Sequence, residues 1–233
     1  MTKEERIQKQ IERLAEMKKP EAELHAQGYK FIAGVDEVGR GPLAGPVVTA
    51  AVVLPEDFDV LGVDDSKKLS EKRREELYDK IIEGCVAYGI GVSDHQVIDE
   101  INILNATKEA MKKAIAECET MLGEALTEDD DEGKSAFAQP RKLDYVLFDA
   151  VKIEGLDVPQ QAIIKGDAKV LAIAAASIVA KVTRDRMMVE YAEEYPWYAF
   201  ESNKGYGTAA HYERIRQYGT CPIHRMSFLK NMH

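Results

Sequence analysis

Two apolar, β-branched runs joined by a bend rich in glycine and proline place the strongest constraint on how this chain folds. Tyr29–Val35 and Val47–Leu54 have the composition of strands, and Gly39–Pro46 between them has the composition of a turn region. Two strands connected across such a bend favour an antiparallel hairpin. The sequence therefore predicts that this part of the chain forms two neighbouring strands of a sheet.

Helical and strand patterns follow one another along the rest of the chain. Thr2 and Glu5 form a capping box for an amphipathic helix that we expect to end at about Lys19, because Pro20 follows. Spacing and end signals predict further helices at Ser70–Glu83, Ile103–Leu122, Val170–Glu194 and Thr208–Tyr218, and further strands at Cys85–Val92, Tyr145–Phe148 and Gln161–Ile164. This order indicates an α/β domain with a C-terminal helical portion.

The negative charge of the chain is concentrated in one segment. The formal net charge is −10, and residues 117–132 contain eight acidic and no basic residues, so the rest of the chain has a net charge of only −2. Residues 124–142 lack apolar periodicity and contain Gly, Ser and Pro, which predicts an acidic loop inserted in the domain. The net charge therefore does not exclude a nucleic-acid partner, although composition alone shows no basic surface.

Composition argues against membrane and disulfide-linked classes of protein. The longest apolar run, around Val170–Ala180, is shorter than the ~18 residues that a membrane span needs. The charged N-terminus has no apolar signal region, and the three cysteines lack metal-binding spacing. We therefore expect a cytoplasmic monomer with reduced thiols and no membrane partner.

Four carboxylates stand at the ends of predicted strands and helices. Asp36 and Glu37 follow the first strand, Asp149 follows a buried run, and Asp167 precedes the alanine-rich helix. Adjacent acids are often merely solvated, and an acid at a helix start is also explained by capping. Asp36 and Glu37 can share one site only if the strand kinks or bulges there, because successive strand residues point to opposite faces. Taken together, the four suit hard divalent cations, two of which can clamp a phosphodiester.

Other candidate residues have ordinary structural interpretations. Ser177 lacks the glycine context of a hydrolase nucleophile, so we expect its hydroxyl to bond to backbone or to phosphate. His211 and His224 are isolated in the sequence, which favours surface or hydrogen-bonded histidines over metal ligands. Asp185 lies between two arginines, which predicts an ion pair with Arg184 or Arg186. The acidic run 129–131 is expected to be a solvated charge cluster without a catalytic role.

A series of short motifs identifies the family that the chain resembles. In order, they are Asp36-Glu37-x-Gly39-Arg40-Gly41-Pro-Leu-Ala-Gly-Pro-Val, Asp65-Ser66-Lys67-Lys68-Leu69, Leu147-Phe148-Asp149, Lys165-Gly166-Asp167, Ala175-Ala176-Ser177-Ile178, Ala180-Lys181-Val182-x-Arg184-Asp185, Lys204-Gly205-Tyr206 and His224-Arg225-x-Ser227-Phe228. Over about residues 30–228 they resemble the type 2 ribonucleases H, and most closely the ribonuclease HII branch. The chain departs from the family at Ala150, where glycine is usual, and at Asn203, where histidine is frequent.

The resemblance implies a ribonuclease H-like α/β fold, in which helices flank a central mixed five-stranded sheet and a C-terminal helical extension follows. It divides the chain into an N-terminal helical extension, 1–28, a catalytic domain, 29–195, that contains the acidic loop 124–142, and a helical substrate-binding portion, 196–233.

The resemblance also implies a reaction and its residues. The expected reaction is endonucleolytic hydrolysis of the RNA strand of RNA/DNA hybrids, with cleavage 5′ of ribonucleotides embedded in duplex DNA that leaves a 3′-hydroxyl and a 5′-phosphate. A two-metal site for Mg²⁺ or Mn²⁺ would be held by Asp36, Glu37, Asp149 and Asp167. The implied substrate contacts are the backbone of Gly39, Arg40 and Gly41 at the 2′-hydroxyl and Tyr206 at the neighbouring sugar. The polar loop with Ser66 and Lys67 suits contact with phosphate.

Two alternatives compete with this interpretation. The ribonuclease HIII branch shares the chemistry but has an additional N-terminal domain, and only about thirty residues precede the first predicted strand here, too few for such a domain. A non-enzymatic nucleic-acid module that retains the fold would be favoured by the loss of a carboxylate, and all four are present.

Overall fold

Five strands form one mixed sheet in the computed structural model, which describes residues 2–128 and 141–230. The strands are β1 (Ile32–Val38), β2 (Val47–Val53), β3 (Ala87–Ser93), β4 (Tyr145–Asp149) and β5 (Gln160–Ile163), and their order across the sheet is β3-β2-β1-β4-β5. β1 pairs antiparallel with β2 and β2 antiparallel with β3, whereas β1 pairs parallel with β4 and β4 parallel with β5. The predicted hairpin and the mixed five-stranded sheet are confirmed.

Helices cover both faces of the sheet. They are α1 (Lys3–Ala26), α2 (Glu71–Gly84), α3 (His95–Glu128), α4 (Leu171–Glu194), α5 (Phe200–Asn203) and α6 (Ala209–Tyr218). α1, α2 and α4 share one apolar cluster with Ala50 and Val52, and α3 shares another with Ala51 and Val53. Since neighbouring strand residues face opposite sides, β2 is buried along its whole length. No helix of the described residues is long and apolar enough to cross a membrane.

Close backbone packing fixes α4 on the sheet. A Cβ added at Gly34 in β1 would lie 2.1 Å from the carbonyl carbon of Ala172, so only glycine lets the first turn of α4 approach the strand this closely. The contact brings the start of α4 to the centre of the sheet, beside β1 and its parallel neighbour β4.

A separate apolar cluster joins the C-terminal segments to the bend between β1 and β2. It contains Leu43 and Ala44 from the bend, Met188 from α4, and Phe200 and Ile223 from the C-terminal part of the chain. The C-terminal segments are therefore packed directly against the glycine-rich bend.

Pro20 lies inside α1, so the prediction that it ends the helix is wrong. The helix continues to Ala26, and Met17, Glu21 and Leu24 are buried on both sides of the proline. Packing against the sheet side of the protein therefore offsets the hydrogen bond that proline cannot donate. Glu21 also accepts a hydrogen bond from the N–H of Ala172, 3.2 Å away.

The predicted boundaries of α3 are also wrong at both ends. The helix begins at His95 and contains one non-helical residue, Asn102, whose φ is 67°. The apolar spacing predicted only the part after this kink. At the other end α3 continues to Glu128, into the predicted acidic loop. Residues 129–140 of that loop lie outside the described residues.

Candidate active site

Three aspartates meet at one edge of the sheet. Val35 of β1 is in register with Phe148 of β4, so the residues that follow them, Asp36 and Asp149, lie next to each other. Asp167 lies in a short 3₁₀ turn just before α4. One carboxylate oxygen from each of the three aspartates lies within 4.8 Å of the other two. The structure therefore brings together three of the four carboxylates that the sequence singled out.

The charges in this group are unfavourable without a cation. Burial, together with the nearby charges of Glu37 and Asp149, raises the pKa of Asp36 well above its ordinary value. Burial raises the pKa of Asp149 too, and the charge of Asp167 adds to that effect. A cluster of oxygen donors whose ionised forms are destabilised by one another fits a divalent hard cation, which would relieve the repulsion.

Glu37 stands outside the three-oxygen group. β1 and β2 stay in unbroken register through the pairs Asp36–Ala50, Glu37–Thr49 and Val38–Val48, so the expected bulge is absent. The charge of Asp149 nevertheless helps to raise the pKa of Glu37, so this carboxyl group is near the aspartates without a bulge, and the expectation that sharing a site requires one is wrong. Burial raises the pKa of Glu37, and its Oε1 accepts a hydrogen bond from Arg40, 3.2 Å away. Its other oxygen, Oε2, is buried without any partner. Such an orphaned oxygen is costly unless a ligand completes it, which is a second sign of a cation site.

Hydrogen bonds orient the aspartates. The N–H of Gly166 donates to Oδ1 of Asp149 at 2.7 Å, which links β4 to the turn that carries Asp167. The hydroxyl oxygens of Ser177 and Ser66 lie 2.7 Å apart, and the Ser177 hydroxyl opposes the rise in the pKa of Asp36. The predicted bond of Ser177 to backbone is therefore wrong, because the packing of α4 directs this hydroxyl at Ser66; a bond to phosphate stays a prediction.

The loop of Ser66 and Lys67 lies beside the aspartates. The ammonium group of Lys67 donates to Oδ2 of Asp167 at 3.1 Å, although its side chain is 77% exposed. Partial burial opposes its charge, but the bond to Asp167 is favourable enough to raise the pKa of Lys67 overall. Ser66, in contrast, is buried. Contact of either residue with phosphate remains a prediction.

The two glycines of the Gly39-Arg40-Gly41 segment are needed for different reasons. Gly39 has a φ of +91°, and a Cβ there would lie 2.2 Å from Nε of Arg184, so packing inside the protein already requires glycine. Gly41 is exposed, and a Cβ there would meet only the ring of Tyr206, at an ordinary contact distance of 3.8 Å. None of the backbone hydrogen bonds of the described residues is donated by Arg40 or Gly41. Nothing inside the protein therefore requires glycine at position 41.

Tyr206 lies next to Gly41 and is 40% exposed. The turn before it places Lys204 and Gly205 at positive φ, 50° and 82°. The guanidinium carbon of Arg184 lies 5.8 Å from the centre of the tyrosine ring. We refer to the backbone of Gly39, Arg40 and Gly41 together with Tyr206 as the ribose-side surface.

Two buried arginines hold the ribose-side surface in place. Arg225 donates to the carbonyl oxygens of Gly39, Arg40 and Gly45 at 2.6, 3.1 and 2.9 Å. Burial and the nearby charge of Arg184 lower the pKa of Arg225 to about 9. The sequence patterns did not predict this role, although Arg184 and Arg225 both lie within motifs that the chain shares with the family.

Arg184 makes a similar set of bonds. It donates to the carbonyl oxygens of Pro46, Ala44 and Lys204 at 2.9, 3.2 and 2.9 Å, which ties the bend to the turn before Tyr206. Among the described residues, no carboxylate forms an ion pair with Arg184 or Arg225.

The ion-pair interpretation of Asp185 is confirmed, but its partners are not the neighbouring arginines. Asp185 pairs with Lys181, one helical turn away, at 2.7 Å, and with Arg74 of α2 at 3.7 Å. Adjacent residues of a helix point in different directions, so Arg184 and Arg186 are poorly placed to reach it.

The fold also shows the surroundings of the two histidines and of Ala150. His211 and His224 are not isolated: both are buried, and their Nε2 atoms lie 3.1 Å apart, which confirms the hydrogen-bonded interpretation. Ala150 has a φ of +55°, a conformation that favours glycine, the usual residue of the family at this position. Ala150 nevertheless keeps a backbone bond to Ile163, at 3.1 Å.

Solved structures share this arrangement of sheet and helices. The ribonuclease H2 of Pyrococcus horikoshii OT3 is 29% identical with a TM-score of 0.62, and the match covers 84% of this chain and 92% of that one. The structure of the PCNA:RNase HII complex from Archaeoglobus fulgidus gives 26% identity and a TM-score of 0.60, covering 86% and 94%. The fold and its buried aspartate group thus define a nuclease of the ribonuclease H-like class, as predicted.

Sequence comparison gives the family. The family model described as Ribonuclease HII matches residues 33–231. The ribonuclease HII of Acetivibrio thermocellus is 48% identical over 226 residues, 97% of this chain and 80% of that protein, and the one of Enterococcus faecalis is 50% identical over 221 residues, 95% and 78%. The chain belongs to the ribonuclease HII family. It is a ribonuclease H, a divalent-metal-dependent endonuclease that acts on RNA/DNA hybrids.

Proposed function

We propose that this ribonuclease cleaves on the 5′ side of a ribonucleotide in a DNA-paired strand, both in long hybrids and at single ribonucleotides embedded in duplex DNA. The products are a 3′-hydroxyl and a 5′-phosphate. The observation that carries the proposal is the meeting of Asp36, Asp149 and Asp167 within 4.8 Å. The same end of β1 leads directly into the ribose-side surface, so one substrate can contact both.

The proposed cofactor is a pair of Mg²⁺ or Mn²⁺ ions held by Asp36, Glu37, Asp149 and Asp167. The raised pKa values of Asp36, Glu37 and Asp149 support a site built for positive charge, and the orphaned Oε2 of Glu37 supports its inclusion as a ligand. Such ions, when bound, supply an activated water and stabilise the leaving oxygen.

The side chains around the aspartates bind and orient the scissile phosphate. Lys67 is largely exposed and points its ammonium group at Asp167, so we assign it to a phosphate oxygen. Ser66 belongs to the same substrate-binding loop. Its burial favours an indirect contribution, through Ser177, to the position of Asp36.

Discrimination between ribose and deoxyribose is assigned to the ribose-side surface. RNA and DNA share the phosphodiester, whereas the 2′-hydroxyl, both donor and acceptor, distinguishes their sugars. The exposed backbone of Arg40 and Gly41 offers N–H groups without an internal partner, and the open space at Gly41 admits a sugar. Tyr206 presents a half-exposed ring beside Gly41 to the neighbouring sugar.

One assay tests the proposal. A duplex with a single ribonucleotide, labelled at the 3′ end of that strand, is incubated with Mg²⁺, with Mn²⁺ or with a chelator, and the cut is mapped at nucleotide resolution. We expect one cut 5′ of the ribonucleotide, a product sensitive to 5′-phosphate-specific exonuclease, and no cut with chelator or in an all-DNA duplex. Cleavage 3′ of the ribonucleotide, or a cyclic phosphate product, would contradict the proposal.

We also propose that the enzyme acts as a monomer in the cytoplasm. Every residue assigned to the site comes from one chain, and all three cysteines are unpaired. Light scattering at micromolar concentration, with activity that stays proportional to enzyme concentration, tests the monomer.

A further inference from the structure

A pair of buried imidazoles lies behind Tyr206 and has no part in the metal site. We infer that His211 and His224 are positioning residues. They hold the Tyr206 backbone in the position that lets its ring contact substrate, through a chain of hydrogen bonds that all donate in the same direction, toward Tyr206. This inference rests on the proposed role of Tyr206 at the ribose.

The chain of contacts is continuous. Nδ1 of His211 lies 2.9 Å from the carbonyl oxygen of Tyr206. The Nε2 atoms of His211 and His224 lie 3.1 Å apart. Nδ1 of His224 in turn lies 2.9 Å from the backbone nitrogen of Cys221.

Chemistry fixes the direction of each bond. A carbonyl oxygen only accepts, so Nδ1 of His211 carries a proton, and in a neutral imidazole its Nε2 is then an acceptor. His224 must therefore donate from Nε2, which leaves its Nδ1 as an acceptor for the N–H of Cys221. Nδ1 of His224 also lies 3.1 Å from Sγ of Cys221, whose thiol can donate to it, and 3.3 Å from the carbonyl oxygen of Cys221. Donating to that carbonyl would leave two acceptors facing each other between the histidines. The two histidines are thus assigned opposite tautomers.

The surroundings keep both rings neutral. Burial and the neighbouring His211 lower the pKa of His224 to about 4, and burial lowers the pKa of His211. Tyr198 and Phe200 pack against both rings, with ring centres 5.0 to 6.3 Å from them. No charged side chain forms an ion pair with either histidine among the described residues, so hydrogen bonds and the packing of these rings set the orientation.

The same short segment holds both halves of the ribose-side surface. His224 reaches Tyr206 through His211, and the next residue, Arg225, holds the carbonyl oxygens of Gly39 and Arg40. A fixed distance between the tyrosine ring and the backbone of Gly41 therefore depends on residues that do not contact substrate.

The tautomers can be measured in the unmodified protein. Long-range ¹H–¹⁵N correlation spectra at neutral pH, assigned with single-histidine variants, should show His211 protonated at Nδ1 and His224 at Nε2. The ordinary Nε2–H tautomer for both rings, or a protonated ring at pH 7, would overturn the inference without any change to the fold.

A matched pair of substitutions tests the effect on cleavage. His211→Asn keeps an N–H near the position of Nδ1, whereas His211→Gln places its amide near the position of Nε2. We expect His211→Gln to lower kcat/KM at a single embedded ribonucleotide about two- to tenfold, the equivalent of one hydrogen bond. His211→Asn should recover most of that loss. Thermal unfolding should show that both variants are destabilised to a similar extent.

A double-mutant cycle with Tyr206→Ala separates positioning from stability. Once the ring is gone, His211→Gln should have no further effect on kcat/KM, although its destabilisation persists. Effects that multiply instead would overturn the inference and leave the role of Tyr206 intact. If Tyr206→Ala alone cleaves like the wild type, the proposed role of Tyr206 and this inference both fail, while the metal site is untouched.

Discussion

The aspartate group and the ribose-side surface are neighbours along β1, yet they are held in opposite ways. The aspartates are brought together by strand ends and a helix start, and their like charges oppose the arrangement. The ribose-side surface is held by Arg184 and Arg225, buried cations bonded to six backbone carbonyl oxygens. The charge of Arg184 also acts against that of Arg225, but each cation is compensated by three acceptors of the protein itself.

This difference separates the chemistry from the selection of substrate. Bound cations relieve the repulsion between the carboxylates of the acidic cluster, so the stability of this region depends on whether cations are bound. A loop held by buried guanidinium groups is already ordered before substrate arrives, which lowers the entropic cost of recognising a sugar. Substitutions in the two regions should therefore affect different measurements.

The largest effect is expected at the aspartates. Asp36→Asn and Asp149→Asn should each lower turnover roughly a thousandfold or more, because a lost ligand charge removes several kcal/mol of transition-state stabilisation. Binding to a hybrid, measured by fluorescence anisotropy, should change little, since phosphate contacts remain. Undiminished cleavage by either variant would remove that residue from the site.

Asp36→Asn should lower turnover but raise the stability of the protein in chelator. The pKa of Asp36 is raised in the folded state above its unfolded value near 3.9, so the folded protein retains the proton longer and its free energy of unfolding falls as the pH rises above about 4. Asp36→Asn removes this cost. In chelator at pH 7 the variant should have a higher Tm than the wild type by calorimetry, and the gap should close as the pH falls toward 4. A lower Tm at pH 7 would show that the charges are not in conflict.

Next in size is the loss of a buried arginine. Arg225→Met leaves three carbonyl oxygens without their donors, and we expect it to lower the free energy of unfolding by about 3 kcal/mol. Arg216→Met is the matched control, because that side chain is 64% exposed and pairs with the exposed Glu213; it should cost less than about 0.5 kcal/mol. Urea unfolding measures both, and equal values would mean that Arg225 does not hold the loop.

Tyr206→Ala should act on cleavage rather than on stability. Lost stacking of roughly 1–3 kcal/mol corresponds to about a ten- to hundredfold fall in rate at a single ribonucleotide. Tyr206→Phe should fall between the two, because the ring remains and the hydroxyl does not. Tyr218→Ala is the control, since Tyr218 is 43% exposed, similar to the 40% of Tyr206. Wild-type activity of Tyr206→Ala on this substrate would contradict the assignment.

The smallest effect on cleavage is expected from Gly41→Ala, whereas Gly39→Ala should affect stability. Gly41→Ala meets no obstacle inside the protein, so its Tm should match the wild type, while a hydrogen bond lost at the 2′-hydroxyl lowers kcat/KM about two- to tenfold. Gly39→Ala should instead destabilise the protein. The positive φ at position 39 and the clash of a Cβ with Arg184 should lower the free energy of unfolding by about 1 kcal/mol or more. A stable and fully active Gly41→Ala would show that no sugar approaches this backbone.

Periodicity and composition determined the elements that build the sheet. The alternation of strand and helix signals located all five strands to within a few residues. Four of them carry an apolar run bounded by a turn or a cap, whereas β5 begins with Gln160 and Gln161. Asp36, Asp149 and Asp167 could be singled out because each follows or precedes such a run. Helix ends were harder: Pro20 and Asn102 are local interruptions that packing on either side overrides.

What only the tertiary structure decided is which polar groups meet. Whether Ser177 bonds to backbone or to Ser66, and which partner Asp185 takes, depends on how α4 packs against its neighbours. The carbonyl partners of Arg225 lie about 180 residues away along the chain, and no spacing within the sequence records such a contact. The sequence specified strand ends and charges through short-range patterns, whereas directional contacts between distant segments followed from the packing of the folded chain.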